Sequence, residues 1–135
     1  MSYYLHILPT KKQIRSRVPG FAAFLREHRG KLAATDPRRY SLRQVAHRVG
    51  VEPSYLSKVE RGLEPPPSET TVTALARELA LDPDLLLAMA GKVSSELQAI
   101  ICKRPQLFGE LIRALKDQPD HAVLRIVREV RDGNW

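Results

Sequence analysis

The segment 41–67, SLRQVAHRVGVEPSYLSKVERGLEPPP, fits two short amphipathic helices that meet at a glycine-centred turn. The first helix is expected from Ser41 to Val49, and the second from Pro53 to Arg61. Gly50 stands between them, where a helix can end in the left-handed backbone conformation that only glycine adopts easily. The segment therefore predicts a pair of short helices rather than one continuous helix.

The beginnings of both helices carry specific signals. Ser41 followed three residues later by Gln44 is a capping box, which satisfies unpaired amides at the start of a helix. Pro53 suits the first turn of the second helix, because its missing N–H would have no partner there. These signals predict where each helix starts.

The two helices have distinct apolar and polar faces. Val45, Ala46 and Val49 form a predicted buried stripe, and Ala46 is small enough for a second helix to pack closely. Leu56 and Val59 are expected to face inward from that second helix. Its outward face then carries hydroxyls, one aromatic ring and two cations, on Ser54, Tyr55, Ser57, Lys58 and Arg61. This combination suits the major groove of DNA.

Four short motifs carry a resemblance to a known family: Gln44-Val45-Ala46, Gly50-Val51, Ser54-Tyr55-Leu56-Ser57-Lys58 and Val59-Glu60-Arg61-Gly62. Together they resemble the helix-turn-helix of the lambda-repressor/Cro-like family of bacterial and phage regulators, also called the Xre family. The resemblance covers roughly residues 21–91, about half of the chain. It implies a five-helix DNA-binding domain.

The charge of the chain is concentrated in its first half. Residues 1–61 contain 13 Lys and Arg against 4 Asp and Glu, whereas residues 62–135 contain 9 against 11. The net charges are therefore +9 and −2, within a total of +7. A basic half joined to a nearly neutral half is what phosphate binding and a separate assembly surface would require. The alternative is a basic face that serves solubility alone.

The rest of the chain also predicts helices. Apolar spacing and caps indicate helices at 21–29, 69–79, 83–90, 96–102, 105–116 and 121–131. The apolar face of the last one is broad enough to suggest burial on two sides. The expected fold is all-α, with a five-helix lambda-repressor-like domain and a C-terminal extension of about three helices. The expected domains are a basic arm at 1–18, the DNA-binding domain at 19–91 and the extension at 92–135.

Two segments depart from the family pattern or leave alternatives open. After Arg29-Gly30, the first helix either continues through Ala34 or gives way to an enlarged loop, and Asp36-Pro37 breaks it in both cases. Arg38 and Arg39 would then lie beside the next helix, facing phosphates or solvent. Residues 1–18 could form an arm that reaches DNA, a tail that contacts a partner subunit, or a disordered end.

The resemblance implies which side chains meet DNA. The base-contacting positions correspond to Pro53, Ser54, Ser57 and Lys58, with Tyr55 at the margin. The phosphate candidates are Ser41, Arg43, Arg61, Arg38 and Arg39. Relatives often carry glutamines where this chain has Leu42 and Pro53, so the target sequence is not implied. Gln44 is assigned to the helix cap, and Glu60 to a local ion pair with an arginine.

The residues give little support for an enzyme. The histidines lack Cys or carboxylate neighbours at metal-ligand spacing, so no metal is expected. No Gly-rich phosphate loop follows a strand and no nucleophile motif is present, so no cofactor and no catalytic activity are expected. His28 and His47 are interpreted as surface or groove-edge residues, and Cys102 as a packed thiol. No apolar run of about 18 residues is present, so no membrane span is expected. The single Cys102 and the lack of a secretory signal pattern predict a cytoplasmic protein.

The predicted function is transcriptional regulation through sequence-specific binding of double-stranded DNA. As a dimer, the protein would act as a repressor at a near-palindromic operator, with the extension holding the dimer. The alternative is an antitoxin that also regulates its own operon. In that case the region from Ser94 to Trp135 would bind a toxin protein.

Overall fold

The computed structural model describes residues 19–135, so the predicted basic arm at 1–18 lies outside the described part. These residues divide into two compact units, 19–94 and Ser95–Trp135. All regular elements between residues 19 and 135 are helices, which confirms the all-α class. The exact domain ranges 1–18, 19–91 and 92–135 stay a prediction.

The first unit contains six helices. They are α1 (Pro19–Thr35), α2 (Pro37–Tyr40), α3 (Leu42–Val49), α4 (Pro53–Glu60), α5 (Glu69–Glu78) and α6 (Pro83–Met89). The predicted bounds of α3, α4, α5 and α6 differ from these by one residue at one end, whereas α1 is longer than predicted at both ends. The short helix α2 is an addition to the expected five.

Helix α1 resolves the alternative that the sequence left open, since it continues past Gly30 to Thr35. The Thr35 hydroxyl donates to the Leu32 carbonyl at 2.9 Å, which satisfies an end group of the helix. Asp36 lies between α1 and α2 and is the N-cap of α2, because its carboxylate accepts a hydrogen bond from the Arg39 amide at 3.2 Å. The long connection after Gly30 is therefore an extended helix followed by a short second one.

The turn between α3 and α4 has the predicted form. The Ser41 hydroxyl accepts from the Gln44 amide at 3.2 Å, as expected for a helix cap. Gly50 adopts φ 85°, and its amide donates to the Ala46 carbonyl at 2.9 Å. A Cβ at Gly50 would meet no atom within 4 Å, so glycine is favoured there by backbone conformation and not by space.

Fully buried core residues of the first unit come from every helix except α2, whose Tyr40 packs against the core from the edge. The fully buried side chains are Phe21, Leu25, Val45, Ala46, Leu56, Val59, Val72, Leu75, Ala76, Leu79, Leu86, Leu87 and Met89. Leu85 is only half-buried on α6, whereas Leu86 and Leu87 are fully buried. Val49 also lies half-buried at the edge of the core.

An ion pair beside this core joins α1 to α4. Arg29 Nε and Nη2 donate to the two Glu60 carboxylate oxygens at 2.6 and 2.9 Å. Arg29 Nη1 also donates to the Tyr40 carbonyl at 3.2 Å, at the end of α2. Glu60 therefore pairs with an arginine as expected, but the pair is not local, since the partner lies on the first helix.

The second unit consists of α7 (Ser95–Lys103), α8 (Pro105–Leu115) and α9 (Asp120–Asp132). None of its helices contains a fully buried residue. Val127 and Val130 on α9 are 51 and 62% exposed. The expected burial of α9 on two sides is therefore wrong for the single chain, because no residue of α9 is fully buried. No helix within residues 19–135 is long and apolar enough to cross a membrane.

Replacing Arg29 by Met should destabilise the first unit by about 3 kcal/mol, because the buried Glu60 carboxylate would lose its charged partner. The side chain of Glu60 is only 4% exposed, so water can replace little of what is lost. Urea unfolding followed by circular dichroism measures the change.

Arg26→Met is the matched control, since Arg26 lies exposed on the same helix and its loss should change stability by no more than about 0.5 kcal/mol. Adding Glu60→Leu to Arg29→Met should recover stability, because the unpaired charge is then removed. Equal effects of the Arg26 and Arg29 variants would contradict a structural role for the pair.

Candidate nucleic-acid interface

Helix α4 presents one face to the core and the opposite face to solvent. Leu56, Val59 and Glu60 are buried, which fixes the rotation of the helix about its axis. Ser54 and Lys58 are exposed, and their four-residue spacing places them on one face. The outward face of α4 can therefore reach a partner without disturbing the core.

The other predicted base-contacting residues lie at the margins of this face. Pro53 and Ser57 are half-buried. Tyr55 is also half-buried and packs against the core. Ser54, Ser57 and Lys58 are thus brought to neighbouring positions on α4, whereas Tyr55 points partly away. Their contacts with DNA stay a prediction.

The predicted phosphate-contacting residues lie on α2, at the start of α3 and directly after α4. Ser41 is half-buried as the cap of α3, and its hydroxyl proton remains available for donation. Arg43 is exposed in the first turn of α3. Arg61 is exposed just after α4, where its Nε donates to the Ser57 carbonyl at 3.3 Å. Arg38 and Arg39 are exposed on α2.

A cluster that the sequence did not reveal lies between α2, α3 and α5. Arg48 Nε donates to a Glu78 carboxylate oxygen at 2.6 Å, and Arg48 Nη2 donates to the Arg39 carbonyl at 2.6 Å. The Arg48 guanidinium lies 5.9 Å from the centre of the Tyr40 ring, and the Arg39 guanidinium lies 5.5 Å from it. No local pattern could have predicted this cluster, because Arg48 and Glu78 are thirty residues apart.

His28 also differs from its expected role. Its Nε2 lies 2.7 Å from the Leu79 carbonyl, which can only accept, so Nε2 is the donor. The ring stacks on Phe24 with centroids 6.0 Å apart. His28 is thus half-buried and ties α1 to the end of α5, whereas His47 is exposed as expected.

The ion pairs leave α2 to α4 with a positive exposed surface. Two of the nearby carboxylates are paired internally, that of Glu60 with Arg29 and that of Glu78 with Arg48. Glu52 remains an exposed acid at the start of α4, with no side-chain bond to the helix amides. The exposed cations on α2, on α3, on α4 and directly after α4 are Arg38, Arg39, Arg43, Lys58 and Arg61. Such a surface attracts the phosphates of nucleic acids.

The described residues show no alternative centre for metal chemistry. Within residues 19–135, no group of three or more His, Cys, Asp or Glu side chains could hold a metal ion. Cys102 is exposed, so the expectation of a packed thiol is wrong. The reason is that α7 has no fully buried residue, although its sequence is apolar around this position.

A family model described as a helix-turn-helix domain matches residues 21–89, which is half of the chain. The chain therefore belongs to this family, and the match is of the Xre/Cro-like type that the motifs indicated. The fold and the family together define a helix-turn-helix protein of the kind that binds DNA. Comparison with curated proteins finds no match, and comparison with solved structures finds none either.

Replacing Lys58 by Ala should weaken binding to the preferred DNA sequence by about 1–3 kcal/mol and relax discrimination at one base pair. The physical reason is the loss of a donor to a guanine edge from the exposed face of α4. Selection of binding sites from random DNA, followed by titration of the wild type and the variant against the selected duplex, measures both effects. Unchanged discrimination at every position would contradict base contact by Lys58.

Replacing Arg43 by Ala should weaken binding to all duplexes alike and reduce the salt slope of binding by about one. Arg43 is exposed at the start of α3, where a contact would go to a phosphate and carry no base information. Fluorescence anisotropy at several salt concentrations measures the slope. A sequence-dependent loss would contradict the assignment to phosphate.

Proposed function

We propose that the protein is a transcriptional repressor that binds a near-palindromic operator as a homodimer. The observation that carries the proposal is the exposed face of α4, held outward by the burial of Leu56, Val59 and Glu60. In the docking mode of helix-turn-helix proteins, this helix enters the major groove while the preceding helix crosses the backbone. A dimer seated on an operator would repress by excluding polymerase from the same DNA.

The second unit is the proposed dimer interface. Its exposed apolar side chains include Leu107, Ile112, Val127 and Val130. A second copy would cover such a surface and would also supply a second α4, about 34 Å from the first on the DNA. The near balance of acidic and basic residues after residue 61 favours self-association over binding to DNA.

An antitoxin role would use the same surface for another protein. In that case residues 94–135 would bind a toxin, and the first unit would still regulate the operon. Neither role requires a catalytic step, a metal or a cofactor. In both roles the protein, from a bacterium or a phage, would act in the bacterial cytoplasm. Copurification of a small protein in fixed ratio, with a monomeric state of the isolated chain, would favour the antitoxin.

The DNA-binding part of the proposal is tested by selection from random DNA and by a salt titration. The wild-type protein should enrich sequences with two related half-sites, spaced by about one helical turn or a multiple of it. Its affinity should fall steeply with salt, because Lys and Arg contacts release counterions from phosphates. An affinity without salt dependence would end the proposal.

Replacing Val130 by Asp should shift the full-length protein from dimer to monomer. The side chain is 62% exposed in the single chain, so the change should leave the fold intact while placing a charge in the proposed interface. Sedimentation velocity measures the mass in solution.

Leu63→Asp is the matched control, because Leu63 is 63% exposed but belongs to the first unit. The interface would be excluded if both variants kept the wild-type mass, or if both lost it equally.

A further inference from the structure

We propose that Arg48 is a positioning residue, which holds Arg38 and Arg39 on α2 for contact with DNA phosphates outside the helix-turn-helix motif. The inference rests on the proposed function, because it names a further part of the same DNA interface. The pair Arg38–Arg39 belongs to the segment that departs from the family pattern between Gly30 and Ser41. The motif itself therefore does not supply this surface.

The position of α2 places its two arginines beside the motif. Tyr40 ends α2, and Ser41 is at once the residue after α2 and the cap of α3. Arg39 is two residues before Ser41, so their Cα atoms are at most about 7 Å apart. The start of α3 is where a helix-turn-helix crosses the DNA backbone. Cations at this distance from it lie within reach of the neighbouring phosphates.

Arg48 fixes this segment from the other end of α3. Side chains on a helix point back toward its N-terminus, so Arg48 extends from the last turn of α3 toward α2. Its Nη2 donates to the Arg39 carbonyl at 2.6 Å, and its Nε is held by Glu78 at 2.6 Å. The carbonyl of Arg39 is thus anchored through Arg48 to α5, which belongs to the core.

Tyr40 completes the arrangement. Its ring is half-buried against the core, and the guanidiniums of Arg39 and Arg48 both lie within 6 Å of the ring centre. Cations are attracted to the face of an aromatic ring at such distances. The ring therefore restrains the Arg39 side chain before DNA arrives, which lowers the entropy lost on binding.

The charges around the pair are consistent with an anionic partner. Glu78 is neutralised by Arg48, so it does not oppose phosphate. The Asp36 carboxylate faces the same short helix and accepts from the Arg39 amide, which uses it as a cap. Arg38, Arg39 and the neighbouring Arg43 are all exposed. The net charge that this corner presents is positive.

The test is a double-mutant cycle on a mixed-sequence DNA duplex of about three helical turns, because phosphate contacts do not depend on the operator. Arg39→Ala should lower the magnitude of the salt slope by about one and weaken binding on the order of tenfold at low salt. Arg48→Lys keeps the charge but lacks the planar fork, so it should also lower the slope. In a background with both Arg38→Ala and Arg39→Ala it should add almost nothing.

Arg77→Lys is the matched control, since Arg77 is exposed on α5 next to Glu78 and its replacement should leave the slope and the affinity unchanged. Additive effects of Arg48→Lys and the double replacement Arg38→Ala/Arg39→Ala would overturn the proposal, as would a wild-type slope for Arg39→Ala or for Arg48→Lys. If the wild-type protein shows salt-dependent DNA binding but the variants at Arg39 and Arg48 behave like the wild type, this inference fails and the proposed function is unaffected. If the wild-type protein shows no salt-dependent DNA binding, both this inference and the proposed function fail.

If Arg48→Lys unfolds the protein, Glu78→Leu tests whether Arg48 positions the arginines of α2. This variant removes a negative charge, so long-range electrostatics alone would strengthen DNA binding. Loss of the anchor for Arg48 should instead weaken it and lower the salt slope. A lower affinity supports the positioning role, and an unchanged or higher affinity contradicts it.

Discussion

The bidentate ion pair between Arg29 and Glu60 is the constraint on which the interface depends. It holds the last residue of α4 to the middle of α1, and the same guanidinium also holds the Tyr40 carbonyl. The Arg29 side chain thus fixes the positions of the ends of α4 and α2 relative to α1. Because the pair is nearly dry, its geometry matters more than its net contribution to stability, which desolvation largely offsets.

A second consequence of the internal pairs is electrostatic. Glu60 and Glu78 lie close to the surface that is proposed to meet phosphate, where free carboxylates would repel it. Each is instead bound to an arginine that points inward or along the helices. The structure therefore uses arginines in two ways. Arg29 and Arg48 neutralise acids and fix helices, whereas Arg38, Arg39 and Arg43 remain exposed.

The sequence predicted the features that depend on a few consecutive residues. The cap at Ser41, the left-handed Gly50 and the buried Leu56 and Val59 all follow from local rules, and the structure has them. The partner of Glu60, the bond of His28 to Leu79 and the cluster at Arg48 could not be predicted in this way. Each joins residues about thirty or more positions apart, and a sequence does not state which distant helices pack together.

The same limit explains why the expectation for α9 was wrong in the single chain. An apolar pattern shows that a face is to be covered, but it does not say by what. In the first unit, the apolar faces of α3 to α6 are covered by one another and by α1, and the result is a closed core. In the second unit, three helices leave apolar side chains on both α8 and α9 exposed.

An apolar surface of this kind favours association, because covering it removes apolar area from water. The proposed association through α8 and α9 would join two recognition helices in one assembly, as binding at a near-palindromic site requires, and it would use none of the residues of α4.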